Sequence, residues 1–173
     1  MCIRDSFGII YGSSAFGLAN TLGIATGEAQ AIVDAYFARY TGVRRFLDDT
    51  VKNAKSAGYV STLLGRRRYL PDLSSSNRML KQAAERMAVN SVIQGTAADL
   101  IKKAMVDVDE ALRGADLDVM MIMQVHDELV FEVPKKEIDT LSELVREKME
   151  GVFSLSVPLV VDIGHGKNWR VAH

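Results

Sequence analysis

Apolar residues recur at helical spacing through the first third of the chain. Ala29, Ile32, Val33, Tyr36 and Phe37 fall on one face, with Thr26 placed to cap that helix and Gly42 to close it. A second helix follows through Val43, Phe46, Leu47, Val51 and Ala54, and Gly58 stands where a left-handed C-terminal residue is wanted. The pattern then becomes extended. Tyr59-Val60-Ser61-Thr62-Leu63 and Arg68-Tyr69-Leu70 flank Gly65 and Arg66, which predicts a hairpin ended by Pro71. Residues 77–113 return to helical spacing with one interruption at Gly95, after which Thr96 and Asp99 offer a new N-terminus. Two helices meeting at an angle are expected there. Residues 119–123 form a run of Val, Met and Ile, and Leu129, Phe131 and Val133 alternate with Val130 and Glu132, so a second hairpin is expected. Pro134 then starts a helix through Ile138, Leu141, Leu144, Val145 and Met149, and residues 157–163 read as a last strand. The sum is an α+β chain with a small antiparallel sheet, without internal repeats, low-complexity tracts or long linkers.

Composition narrows the picture only a little. With 48% apolar and 25% charged residues over 173 positions, the chain has enough apolar content for a real core. A single cysteine, Cys2, rules out an internal disulfide framework and a cysteine-rich zinc site, and the cytoplasm is the default compartment. Residues 7–25 are rich in apolar and small residues, but a signal peptide is a poor reading. Arg4 and Asp5 cancel before the run, and Tyr11, Ser13, Ser14, Asn20 and Thr21 interrupt it. No stretch reads as a transmembrane helix, so no membrane partner is expected.

Net charge is −1, yet it is unevenly spread. Residues 52–86 carry eight basic and two acidic side chains, whereas residues 107–162 carry fourteen acidic and five basic ones. The first segment suits phosphates, although a merely solvated basic face would look the same.

The candidate chemistry lies mostly within these two segments. Gln124-Val125-His126-Asp127-Glu128-Leu129-Val130-Phe131-Glu132 sets an imidazole and two adjacent carboxylates at the bend between two strand-like runs. A tight turn lets Asp127 face a cation while both strands stay anchored, and only one acid need be a direct ligand. Acids also occupy turns simply because turns are solvated. Arg86, Asn90 and Gln94 recur every fourth residue and form one polar stripe on a helix otherwise rich in Ala, Met, Val and Ile. Such donors suit the minor groove, where every base pair offers acceptors, and a solvent-facing stripe is the plain alternative. Gly65-Arg66-Arg67-Arg68-Tyr69 sets guanidinium groups beside an aromatic ring, a combination that neutralises phosphates. Phe7 and Tyr11 are four apart, where they would either border a nucleotide or pack in a core.

Two of these segments carry a resemblance. The nine residues from Gln124 to Glu132 resemble motif C of the family A DNA polymerases, the bacterial DNA polymerase I type. Phe7-Gly8-Ile9-Ile10-Tyr11-Gly12, followed by Ser14-Ala15-Phe16-Gly17-Leu18-Ala19, is similar to the second half of motif B on the fingers. The similarity runs from Phe7 through Asn168-Trp169. It implies a mostly helical fingers portion over residues 7–58 and a partial palm with a small antiparallel sheet over residues 59–173, with residues 1–6 foreign to the gene. The activity it implies is template-directed transfer of a nucleotidyl group from a deoxynucleoside triphosphate to a primer 3′-hydroxyl, with two magnesium ions, in DNA replication or repair. By the same resemblance Asp127 binds metal and Glu128 assists it. Phe7 and Tyr11 border the nucleotide, Arg86, Asn90 and Gln94 line the primer-template minor groove, and His126 lies near the primer terminus. Arg66 and Arg67 are expected to touch DNA.

The chain also departs from that family. The metal-binding aspartate of motif A is expected upstream of residue 1, and Ile3 stands where the triphosphate-binding lysine of motif B should be. The isolated chain is therefore expected to be inactive and to need the remainder of the polymerase. Three alternatives remain at this stage. The first is a fragment of a single-subunit, phage-type RNA polymerase, against which Glu128 and the following Leu-Val-Phe-Glu weigh. The second is a non-catalytic duplex-DNA-binding module. The third is a metal-dependent hydrolase, for which His165 and His173 supply no ligand spacing.

Overall fold

The computed structural model describes residues 8–12 and 14–172. The described residues cluster into two compact units that divide between Thr96 and Ala97. The chain is α+β, mostly helical, with two small antiparallel sheets.

In the first unit, helix α1 spans Ala15–Leu22, capped by the Ser14 side chain accepting from the Gly17 N–H at 3.1 Å and closed by Gly23 at φ 68°. Helix α2 follows over Thr26–Arg39 and α3 over Thr41–Ala57. Their ends differ from expectation. Because the chain reverses at Gly23, Thr26 is already helical and Ala25 holds the cap position without a side-chain bond. The break between α2 and α3 falls at Tyr40, not at Gly42. The Tyr40 N–H donates to the Tyr36 carbonyl at 2.8 Å and its ring lies 4.9 Å from the Tyr36 ring, so Gly42 sits inside the first turn of α3. Buried Ile9, Leu18, Ala19, Ala29 and Tyr36 make the core of these helices.

Gly58 closes α3 at φ 77°, as the sequence predicts, and the hairpin follows with strands β1 (Tyr59–Ser61) and β2 (Arg67–Tyr69). Tyr59 pairs with Tyr69 and Ser61 with Arg67, and Gly65 takes φ 84° in the turn. Pro71 opens a 3-10 turn, Pro71–Ser74. Val60, Leu70 and Leu73 bury against Ala54, Ala84 and Ala88, so the hairpin is stapled to two helices by small residues that allow close approach.

Helix α4 runs from Arg78 to Gly114 without a break, 37 residues, which overturns the expected bend at Gly95. Thr96 does not cap a new helix. Its hydroxyl accepts the Leu63 N–H from the hairpin at 3.1 Å, and Gly95 makes room for Thr62, whose methyl would lie 2.8 Å from a Cβ at that position. Glycine is there for the neighbour's approach, not to end the helix.

In the second unit, β3 (Met120–Val125) pairs antiparallel with β4 (Glu128–Glu132), with a bulge between Met121 and Met123. After the 3-10 turn Lys135–Glu137, helix α5 covers Ile138–Glu150. Its Leu141 and Val145 bury with Val108 of α4, and Val119, Met121, Phe131 and Val133 pack on that cluster. The expected strand over residues 157–163 is absent. Arg146 of α5 donates to the Val161 carbonyl at 2.8 Å and Glu150 accepts the Val161 N–H at 3.0 Å, so side chains satisfy backbone groups that a strand would have paired. Helix α6 is one turn, Trp169–Ala172. No helix among the described residues is long and apolar enough to cross a membrane.

Candidate nucleic-acid and metal site

The acidic turn has the geometry its neighbours impose. Val125 and Glu128 close the β3–β4 ladder, leaving His126 and Asp127 as a two-residue loop. His126 takes φ 53°, the only non-glycine residue with positive φ among those described, and the Gln124 side-chain amide donates to its carbonyl. Histidine in the left-handed region is uncommon and costs on the order of 1–3 kcal/mol, a cost the anchored ladder overcomes. The bend thereby exposes Asp127 at the tip, while Glu128 stays half-buried at the first strand position. Glu128 Oε2 accepts from Trp169 Nε1 at 3.4 Å.

Two adjacent carboxylates are hard oxygen donors, which suits magnesium, an ion that takes one or two carboxylates and completes its shell with water and phosphate oxygens. No group of three or more His, Cys, Asp or Glu side chains able to hold a metal occurs among the described residues. The acidic pair therefore fits as a partial ligand set and not as a self-sufficient cage.

In the first unit, Arg86, Asn90 and Gln94 occupy successive turns of α4, with Arg86 and Gln94 exposed and Asn90 half-buried. Asn90 Oδ1 is buried without a hydrogen-bond partner among the described residues. Gly12, at φ 86°, lies against the Arg86 stem so closely that a Cβ there would meet Arg86 Cγ at 2.9 Å and Cδ at 3.0 Å. The segment carrying half-buried Tyr11 is thus brought beside Arg86. Phe7 lies outside the described residues.

The basic hairpin divides its arginines between two tasks. Arg66 donates to the Gly95 carbonyl at 3.0 Å, and Arg68 donates to Ser91 Oγ at 3.1 Å and to Met87 Sδ at 2.9 Å, so both fasten the hairpin to α4. Arg67 instead points across Tyr59, its guanidinium 4.7 Å from the ring centroid, on a strand whose residues are all exposed. Sequence reasoning missed Gly12, Gly95 and Arg68 as partners of this face, and it missed Trp169 as a partner of Glu128. No local signal marks them, because each contact joins residues far apart in the chain.

The first unit thus carries a polar helical stripe and the second an acidic hairpin turn. A family model for DNA polymerase family A matches residues 4–171. DNA polymerase I of Mycobacterium tuberculosis (strain H37Rv) is 53% identical over 167 residues, covering 96% of this chain and 18% of that protein. DNA polymerase I of Pseudomonas aeruginosa is 51% identical over 168 residues, covering 97% of this chain and 18% of that protein. A solved structure of the polymerase domain of Pol1 from M. smegmatis, in complex with DNA primer-template and dNTP, superimposes with a TM-score of 0.95 at 51% identity, over 98% of this chain and 30% of that one. The chain belongs to DNA polymerase family A, and it spans about a fifth of the length of the curated relatives it matches.

Proposed function

We propose that this chain is the part of a DNA-directed DNA polymerase that supplies one catalytic carboxylate turn and a minor-groove helix, acting in the cytoplasm on primer-template DNA and deoxynucleoside triphosphates. The observation that carries the reading is the acidic turn. Its His126 backbone is held in a costly conformation by a paired ladder, and the result is an Asp127 carboxylate displayed at the tip. The positive φ lies at His126, where a two-residue hairpin loop calls for it, and that tight loop leaves the neighbouring Asp127 carboxylate at the tip.

In this reading Asp127 holds magnesium and Glu128 assists. When bound, the ions lower the pKa of the primer 3′-hydroxyl and neutralise charge on the triphosphate and the leaving pyrophosphate. Arg86, Asn90 and Gln94 track the minor groove, whose acceptors are shared by all base pairs, so they hold the duplex without selecting sequence. Tyr11 and Phe7 border the incoming nucleotide, His126 lies by the primer terminus, and Arg67 offers its charge to the DNA backbone. Arg66, which also holds the hairpin through its bond to the Gly95 carbonyl, touches the DNA beside Arg67. Residues 7–58 correspond to fingers and residues 59–173 to palm.

The polymerase reading is tested by joining residues 7–173 to the preceding part of a relative's polymerase domain and assaying primer extension. Template-dependent, magnesium-dependent incorporation is expected, with Asp127→Ala lowering it by about 10³-fold or more. The isolated 173-residue chain should extend no primer, since it offers only a partial ligand set. Extension by the isolated chain, or a joined enzyme indifferent to Asp127→Ala, would remove the assignment.

A further inference from the structure

Glu128 is tied to a residue 41 positions later, and the way that residue is delivered shows a built feature. The Trp169 Nε1 to Glu128 Oε2 distance of 3.4 Å is long for an N–H···O bond, so the contact alone is a light tether. The indole is also 48% exposed, so core packing does not account for its placement. Its position comes from the loop before it. A Cβ on Gly164 would collide with the Ala172 carbonyl oxygen. A Cβ on Gly166 would lie 2.8 Å from Val171 Cγ1, 2.9 Å from Val171 Cβ and 3.0 Å from the Ala172 nitrogen. These neighbours are backbone and branched stem, which cannot swing aside. Asn168 completes the loop, its carbonyl accepting the N–H groups of Val171 at 3.0 Å and Ala172 at 3.2 Å, and its side-chain oxygen accepting from Val171 at 3.2 Å. Gly164, Gly166 and Asn168 therefore fold the chain tightly onto α6 and fix where Trp169 points.

We propose that Trp169 is a positioning residue for the Glu128 carboxylate, held in place by the Gly164–Gly166–Asn168 clasp. Tying one carboxylate oxygen fixes the plane of the group, and a donor behind a metal-binding carboxylate sets its direction toward the cation. Only the second half of this inference, that the cation side gains from the tether, rests on the polymerase reading of the acidic turn.

Trp169 is the only tryptophan of the chain, so the 173-residue protein has one indole N–H resonance. Glu128→Gln should move that resonance in ¹H–¹⁵N spectra, with the rest of the spectrum largely retained. A resonance that stays put overturns the tether. Manganese(II), added as a paramagnetic probe, should broaden the His126 and Asp127 backbone amides. Trp169→Phe, which keeps the ring bulk and loses the donor, should raise the manganese concentration needed by about three- to tenfold. Equal broadening in the wild type and Trp169→Phe overturns the positioning role while leaving the tether. If no broadening occurs in the wild type although Glu128→Gln moves the indole, the cation reading of the turn fails and the positioning role falls with it.

Discussion

Gly95 sits inside a continuous helix, where replacing glycine by alanine ordinarily gains about 1 kcal/mol. Here the neighbour decides the sign. A methyl group at residue 95 would press on the Thr62 methyl at 2.8 Å, and overpacking costs about 1–3 kcal/mol. Gly95→Ala is expected to destabilise the chain by roughly 1 kcal/mol in urea unfolding, the difference of those two effects. Thr62→Ser in the same background keeps the hydroxyl that accepts the Arg66 N–H at 3.1 Å and removes the clash, so it should turn the loss into a gain. A stabilising Gly95→Ala would mean the hairpin does not press on α4 there. Single residues were legible where their conformation is set locally. The acidic turn was one such case, as was Gly58 at a helix end. They were misread where a distant contact sets their role, as at Gly95 and Thr96.

At the scale of elements, α4 owes its start to Asn77. The Asn77 side-chain oxygen accepts the Met79 N–H at 2.9 Å and the Leu80 N–H at 3.4 Å, satisfying donors that the helix itself leaves unpaired. Asn77→Ala should lower stability by about 1 kcal/mol and Asn77→Gly by only a few tenths, measured from urea midpoints. Equal losses in the two variants would point away from capping. Both hairpins and the helices of residues 26–57 follow their period and turn residues, so they could be read before any coordinates. The bend at Gly95 and the strand over residues 157–163 could not be judged this way. A glycine reads as a breaker unless something is known to lean on it, and an apolar extended run reads as a strand unless its backbone partners are known. In the second case those partners are Arg146 and Glu150 side chains.

At the scale of the whole molecule, one apolar surface is conspicuous in the second unit. Met120, Ile122 and Met123 of β3 and Val106 of α4 are exposed, and β3 is paired on one edge only among the described residues. A groove of about 460 Å³ lies along this strand, lined by Met105, Leu112 and Val119 and by charged Asp109 and Arg113 as well as by β3 itself. An unpaired, apolar edge of this kind drives association. The isolated chain is expected to self-associate as its concentration rises, and Ile122→Lys should shift sedimentation-velocity profiles back toward the monomer. A single monomer boundary for the unaltered chain at every concentration would count against it.

The family, the α+β class and the place of the acidic turn follow from residues adjacent in the chain, because motif, period and turn propensity are short-range properties. The continuity of α4, the division of labour among the hairpin arginines and the tie between Trp169 and Glu128 follow from packing, which joins side chains separated by 19 to 41 positions. No local pattern encodes such contacts; they exist only once the backbone has brought the partners within a few ångströms of each other.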